Sequence, residues 1–328
     1  MRLSPPISPM TARTVDVPPR APGLAYEAKW DGYRVLLFAR PDAPYLQSRR
    51  GNDLGPGFPD ILRAAAELGE EAVFDGELVV IEEGAVNFAA LQSRAQRTGR
   101  RAEAAAVAHP AHFIAFDLLQ LGDEPTMARP YRERRALLEE VFTRLDLQPP
   151  WALCPMTTDP DRAGEWLDPA WGAVGVEGMV VKGLGQPYRP GERGWRKLRA
   201  RATADAVVGA VTGPVTSPDA LLLGRYDAEG ELLMVAQSAP VTNVLRRELG
   251  PLLTPAGPDH PWTDVQFRSG WGTRDILAHR CVVPELVVEF EADVAFEAGR
   301  WRHPVQARRL RAELPPEDVP HFPEGPTT

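Results

Sequence analysis

Apolar positions along the chain fall in short runs separated by Gly and Pro turns, and the texture of those runs predicts the elements. Leu24 to Phe38 reads as two strand-like stretches around a polar turn. Ala72 to Ile81 is a strand interrupted by Asp75-Gly76-Glu77, and two carboxylates inside an apolar run are costly to bury unless they bind something. Phe113 to Leu119 reads as a buried strand, and Val174 to Lys182 sets a lone glutamate before a hydrophobic run that ends in lysine. Trp195 to Arg199 alternates, so Lys197 and Arg199 project from one face. Helical spacing covers Phe58 to Leu68, with Ile61, Leu62, Ala65 and Leu68 on one face. It recurs over the basic stretch Asn87 to Arg97 and the charged amphipathic stretch Tyr131 to Leu145.

After Arg201 the runs become short and β-rich: Ala206 to Val211, Ala220 to Tyr226, Glu231 to Gln237 and Leu286 to Phe296, with one short helix near Val241 to Leu252. This is the pattern of a small β-barrel. A length of 328 residues suits two domains, and the change of texture sets them at 1–201 and 202–328. Residues 1–23, rich in proline, read as an extended arm without a core of its own.

Composition is that of an ordinary globular protein, with 44% hydrophobic and 25% charged residues. No apolar run approaches a membrane span and the start lacks a signal peptide's apolar centre, so a cytoplasmic protein without a membrane partner is expected. Cys154 and Cys281 stand too far apart in sequence for a C-x-x-C pair and read as buried apolar residues. The net charge of −8 argues mildly against nucleic acid, yet arginines cluster at 94–101, 189–201 and 300–311, and a basic face on an acidic body can still steer DNA.

Lysine usage sharpens the picture. Of 37 basic residues only Lys29, Lys182 and Lys197 are lysines. Lysine can do what arginine cannot, namely lose a proton and act as a nucleophile. Lys29 sits in Glu27-Ala28-Lys29-Trp30-Asp31-Gly32-Tyr33-Arg34, where an amine, a carboxylate, a glycine turn and a second cation lead into a strand.

Lys29 to Arg34 fits K-x-D-G-x-R, the attachment motif of the covalent nucleotidyltransferases. The order of the remaining pieces resembles the ATP-dependent DNA ligases over nearly the whole chain, in particular the small bacterial type related to the ligase module of end-joining enzymes. The resemblance implies an α+β nucleotidyltransferase domain of antiparallel sheets with helices, then a C-terminal OB-fold barrel. It implies that Lys29 becomes AMP-linked, with Asp31 orienting the nucleophile or metal waters and Arg34 contacting the nucleotide or nick. Ser48-Arg49-Arg50-Gly51 resembles the next motif through Arg49, and Asp75-Gly76-Glu77 matches the D-G-E motif whose glutamate holds the ribose. Phe116 matches the aromatic that stacks on adenine, and Glu27 the position that reads its amino group. Glu177 to Lys182 matches E-G-[LM]-[VM]-x-K, implying Glu177 as metal residue and Lys182 as nucleotide contact. Lys197-Leu198-Arg199 departs from K-x-K in its second cation. Arg309 and Arg311 resemble the last motif, although Ala312-Glu313-Leu314 replaces its usual acidic and lysine ending.

The implied chemistry uses ATP and Mg²⁺ or Mn²⁺. A neutral lysine amine attacks the α-phosphate, cations neutralise the phosphates, and AMP passes to a 5′-phosphate at a nick, where the 3′-hydroxyl displaces it. The implied partners are nicked duplex DNA and end-joining proteins, the implied state a monomer. With fewer than thirty residues ahead of Lys29, no helical DNA-binding domain is expected there. Two other readings stay open at the level of sequence: an RNA ligase or capping-type enzyme, and a catalytically inactive OB-fold module gripping single strands.

Overall fold

The computed structural model describes residues 2–15, 17–268 and 276–323. Two compact units divide the chain, Met1–Arg199 and Ala200–Thr328.

Two sheets build the first unit. One runs in the order Ala12–Thr14, Trp195–Arg199, Val176–Gly183, Leu24–Trp30, Met156–Thr157. The other is ordered Tyr45–Ser48, Tyr33–Ala39, Ala72–Glu82, Ala111–Leu121, Glu124–Pro125, with Trp151–Leu153 added in parallel to Ala111–Leu121. Period-two alternation splits each strand between two surroundings. On the second sheet Val35, Leu37, Phe74, Leu78 and Val80 join the helices Pro59–Ala66, Phe88–Ala95 and Tyr131–Arg144 in one core. The alternate residues Arg34, Leu36, Asp75, Glu77 and Val79 point the other way, and small clusters around Leu36, Phe38 and Trp195 and around Val79 and Ile114 form on that face.

The expected break at Asp75-Gly76-Glu77 is not there. Ala72–Glu82 is one continuous strand, with register shifts against its neighbour between Val73 and Phe74 and between Asp75 and Gly76. Both carboxylates are accommodated because they share the polar face, where cations meet them, so no turn is needed to expose them. The basic stretch Asn87 to Arg97 also differs from a solvated face. Its helix is capped by Asn87, whose side chain accepts the Ala90 N–H at 2.8 Å, and Arg94 is fully buried. Arg94 donates to both oxygens of Asp60 at 2.5 and 3.0 Å and to the His109 carbonyl at 2.7 Å. It is a structural arginine.

The N-terminal arm has no core of its own but is firmly docked. Ala12–Thr14 pairs in parallel with Trp195–Arg199, and Met10 is fully buried. Two buried glutamines read the arm's backbone: Gln47 accepts the Ile7 N–H at 2.8 Å and donates to its carbonyl at 2.6 Å, and Gln120 accepts the Leu3 N–H at 2.6 Å.

The second unit is a curled antiparallel sheet ordered Leu232–Gln237, Ala220–Tyr226, Arg201–Thr212, Val287–Asp293, Gln306–Leu310. A parallel bridge, Ser238 to Val305, joins the two outer strands and closes the barrel. The helix Asn243–Leu249, capped by Thr242, sends Leu245 and Leu249 into the barrel core with Val208, Leu223 and Phe290. Five strands closed through one parallel contact are the OB-fold.

Candidate active site

Lys29 lies near the end of Leu24–Trp30 in the first sheet, and after two intervening residues the chain enters Tyr33–Ala39 in the second. The lysine motif is therefore the corner between the sheets. Gly32 permits it: a Cβ there would stand 2.4 Å from the Leu78 carbonyl oxygen. The Asp31 N–H donates to the Gly175 carbonyl at 3.0 Å, which ties the corner to the entry of the next strand.

That strand, Val176–Gly183, pairs antiparallel with Leu24–Trp30 but shifts register between Val176 and Met179. The shift is a β-bulge, an extra residue that changes which way the next side chains point. Val176, Met179 and Val181 all pack on the outer apolar face with Tyr26 and Leu198. The inserted residue turns Glu177 to the inner face, on the side of Lys29 and Lys182. Gly178 makes this possible at φ +137°, where a Cβ would lie 2.1 Å from the Leu198 carbonyl oxygen.

Glu177 is nearly buried and ion-pairs through Oε1 with Lys29 Nζ. Among the described residues its Oε2 accepts no hydrogen bond, and it lies 3.4 Å from Arg199 Nε. Lys197 shares this face, and burial first, then the charges of Lys29 and Arg199, hold its amine below the usual lysine range. Exposed Arg49 adds to the same effect. Glu77, on the facing sheet, is pushed up to about 7 by burial, with Glu177 and Asp75 adding to the rise while Lys29 and Arg34 oppose it. Lys29, Glu77, Glu177, Lys197 and Arg199 thus form one electrostatic group.

A second group adjoins it. Lys182 is 1% exposed; its Nζ meets Glu27 Oε2 at 2.7 Å, donates to the Phe116 carbonyl at 3.1 Å, and lies 4.7 Å from the Phe116 ring centre and 4.3 Å from that of Trp195. Glu27 also accepts the Tyr131 hydroxyl, and Arg135 stands 3.9 Å away. Arg34 forms a bidentate pair with Asp75 at 2.9 and 2.6 Å and stacks near Trp195 and Phe116. Phe116 is half-buried, and both Lys182 and Arg34 lie over its ring.

Arg309 and Arg311 lie in the second unit, where Arg309 pairs with Glu289 at 3.0 Å and Arg311 with Asp205 at 2.9 Å. Sequence reading did not single out Trp195 and Tyr131, which flank Lys182, or the buried Arg134–Asp117 pair at 2.7 and 2.9 Å. The signal for that pair was Asp117 inside an apolar run.

The residues fit a divalent cation in one particular way. Among the described residues no group of three or more His, Cys, Asp or Glu side chains is placed to hold a metal. The buried Glu177 Oε2, which accepts no hydrogen bond among the described residues, is one hard oxygen of the kind that suits Mg²⁺, an ion that keeps several waters and takes other ligands from phosphate. Cys154, beside the lysine strand, is made inert as burial pushes its thiol up.

No helix among the described residues is long and apolar enough to cross a membrane. Residues 9–199 match the family described as the ATP dependent DNA ligase domain. The chain is 36% identical to DNA ligase C2 of Mycolicibacterium smegmatis, over 94% of this chain and 91% of that protein. It is 30% identical to the multifunctional non-homologous end joining DNA repair protein LigD of Mycobacterium tuberculosis, over 90% of this chain and 37% of that protein. The crystal structure of the ligase domain of that LigD superposes with a TM-score of 0.53 at 27% identity, covering 96% of this chain and 98% of that domain. By the matched family and these relatives, the chain belongs to the ATP-dependent DNA ligases.

Proposed function

We propose that Lys29 is the residue through which this ligase carries AMP, and that the inner face between the two sheets of the first unit is where ATP reacts. The observation that carries the assignment is the bulge at Glu177-Gly178, which brings a carboxylate against Lys29 Nζ beside Lys197 and Arg199. Glu177 fixes the amine and is placed to accept its proton. Nζ then forms a bond to the α-phosphorus while the bond to the pyrophosphate oxygen breaks. Lys197 and Arg199, both half-buried, offset charge on the phosphate, and cations partly withdrawn from water act more strongly than in bulk. Glu177 would hold Mg²⁺, with Asp31 orienting its waters, and the ion would supply further charge neutralisation at the phosphate.

Phe116 serves as the adenine platform, with Lys182 and Arg34 beside it. Glu27 keeps acceptor capacity after bonding Lys182 and Tyr131, since each carboxylate oxygen has two lone-pair sites, and it is assigned to the adenine amino group. Glu77 is assigned to the ribose and Arg49 to phosphate. In the second unit Arg309 and Arg311 are the proposed phosphate residues, a role that requires exchanging their present carboxylate partners. The assignment by segment is adenylation over 1–201 and the OB-fold over 202–328. Nicked duplex DNA is the proposed substrate, and the likeness to an end-joining LigD supports work alongside end-joining proteins; the proposed location is the cytoplasm and the proposed state a monomer.

Peptide mapping after incubation with ATP and Mg²⁺ tests the nucleophile. AMP on the peptide carrying Lys29 is expected; AMP on Lys182 or Lys197 instead would overturn the assignment.

A further inference from the structure

Tyr188 takes no part in the chemistry above, yet it is tied to it by an unbroken line of buried hydrogen bonds. The phenol is 3% exposed, accepts the Met10 N–H at 2.9 Å and donates to Asp75 Oδ2 at 2.7 Å. Asp75 is fully buried and takes Arg34 on both oxygens, so Oδ2 is shared by Arg34 and Tyr188. The guanidinium of Arg34 then lies 4.9 Å from the Trp195 ring centre and 5.3 Å from that of Phe116. Tyr188 packs edge-on against the same Trp195 at 5.8 Å.

A bidentate pair fixes the guanidinium to the carboxylate plane but leaves that plane free to turn about its own Cβ–Cγ bond. A third donor, anchored elsewhere, removes that freedom. We infer that Tyr188 is a positioning residue for nucleotide binding: through Asp75 it sets the orientation of Arg34 beside the Phe116 ring, and the docked arm holds Tyr188 in place through Met10. This rests on the reading of Phe116 and Arg34 as nucleotide contacts. Burial first, and then the charge of Asp75, raises the phenol well above its usual range, so it stays a donor at every working pH. The arm is thus a working part of the adenylation unit.

Tyr188→Phe keeps the ring and removes only the hydroxyl. In pre-steady-state self-adenylation the apparent KM for ATP should rise about 10-fold, the size of one hydrogen bond to a charged group. The rate at saturating ATP and the sealing of a pre-adenylated nick should stay within about 2-fold, a change of under half a kcal/mol. Because the effect passes through Arg34, the same substitution in an Arg34→Gln background should add nothing. An unchanged KM overturns the inference, as does a rise of equal size in the Arg34→Gln background. A parallel fall of rate, sealing and melting temperature also overturns it, in favour of a purely structural role. The wild-type arm, read for label on Lys29, separates failure of the nucleophile assignment from failure of this one.

Discussion

Gly178→Ala is the sharpest test of how the site is built, because the bulge and not the bulk composition of the strand puts Glu177 on the inner face. At φ +137° an L side chain is strained by roughly 1–3 kcal/mol. A Cβ would also stand 2.1 Å from the Leu198 carbonyl oxygen and 2.8 Å from Arg199 Cα, both backbone atoms that cannot swing aside. Overpacking of that kind costs about 1–3 kcal/mol more. The bulge must relax toward a regular ladder, which turns Glu177 toward the apolar outer face, away from Lys29, and displaces Arg199. We expect a loss of about 2–6 kcal/mol in stability and a drop of at least about 100-fold in the rate of self-adenylation. Gly230→Ala is the control: its φ is also positive, at +83°, but nothing stands within 4 Å of its Cβ. That change should cost only about 1–2 kcal/mol and leave adenylation alone. Urea denaturation and single-turnover labelling with ATP measure both. A Gly178→Ala protein with wild-type labelling would refute the claim that the bulge positions Glu177.

Two further outcomes follow from buried charge. Arg94→Met removes the guanidinium that satisfies Asp60, so stability should fall by about 3–5 kcal/mol while affinity for nicked DNA is retained; a selective loss of DNA binding would return Arg94 to the basic surface. Glu77, with its folded pKa raised to about 7 from an ordinary 4.5, binds more protons folded than unfolded between those values. Stability from this group is therefore fully present below about pH 4.5 and is lost as pH rises through 7, by about 1–3 kcal/mol. Glu77→Gln should flatten that fall between pH 5 and 8 in denaturation curves, and an unchanged slope would contradict the assignment of the proton to Glu77.

The parts of this molecule legible from sequence are those written in short, contiguous patterns. Lys29 to Arg34 announces a strand end and the turn that follows it, and the alternation of Trp195 to Arg199 places Lys197 and Arg199 on one face, as found beside Glu177. What stayed hidden depends on pairing across the chain. Nothing adjacent to Asp75 in sequence shows that Arg34 and Tyr188 converge on it from 41 and 113 residues away, so the run Ala72 to Ile81 looked broken when it is continuous. Arg94 looked like surface because arginine is rarely buried, and only the fold shows Asp60 opposite it. How the arm docks was not legible because its anchors, Gln47 and Gln120, are single polar residues inside apolar strands.

The central claim is tested most directly by a pulse and chase. Wild-type protein and Lys29→Arg are incubated with α-labelled ATP and Mg²⁺, resolved under denaturing conditions, and chased with nicked duplex DNA. The account expects covalent label on the wild type that leaves the protein as the nick is sealed, and none on Lys29→Arg, which keeps the charge but not the nucleophile. Label on Lys29→Arg at the wild-type level would contradict it.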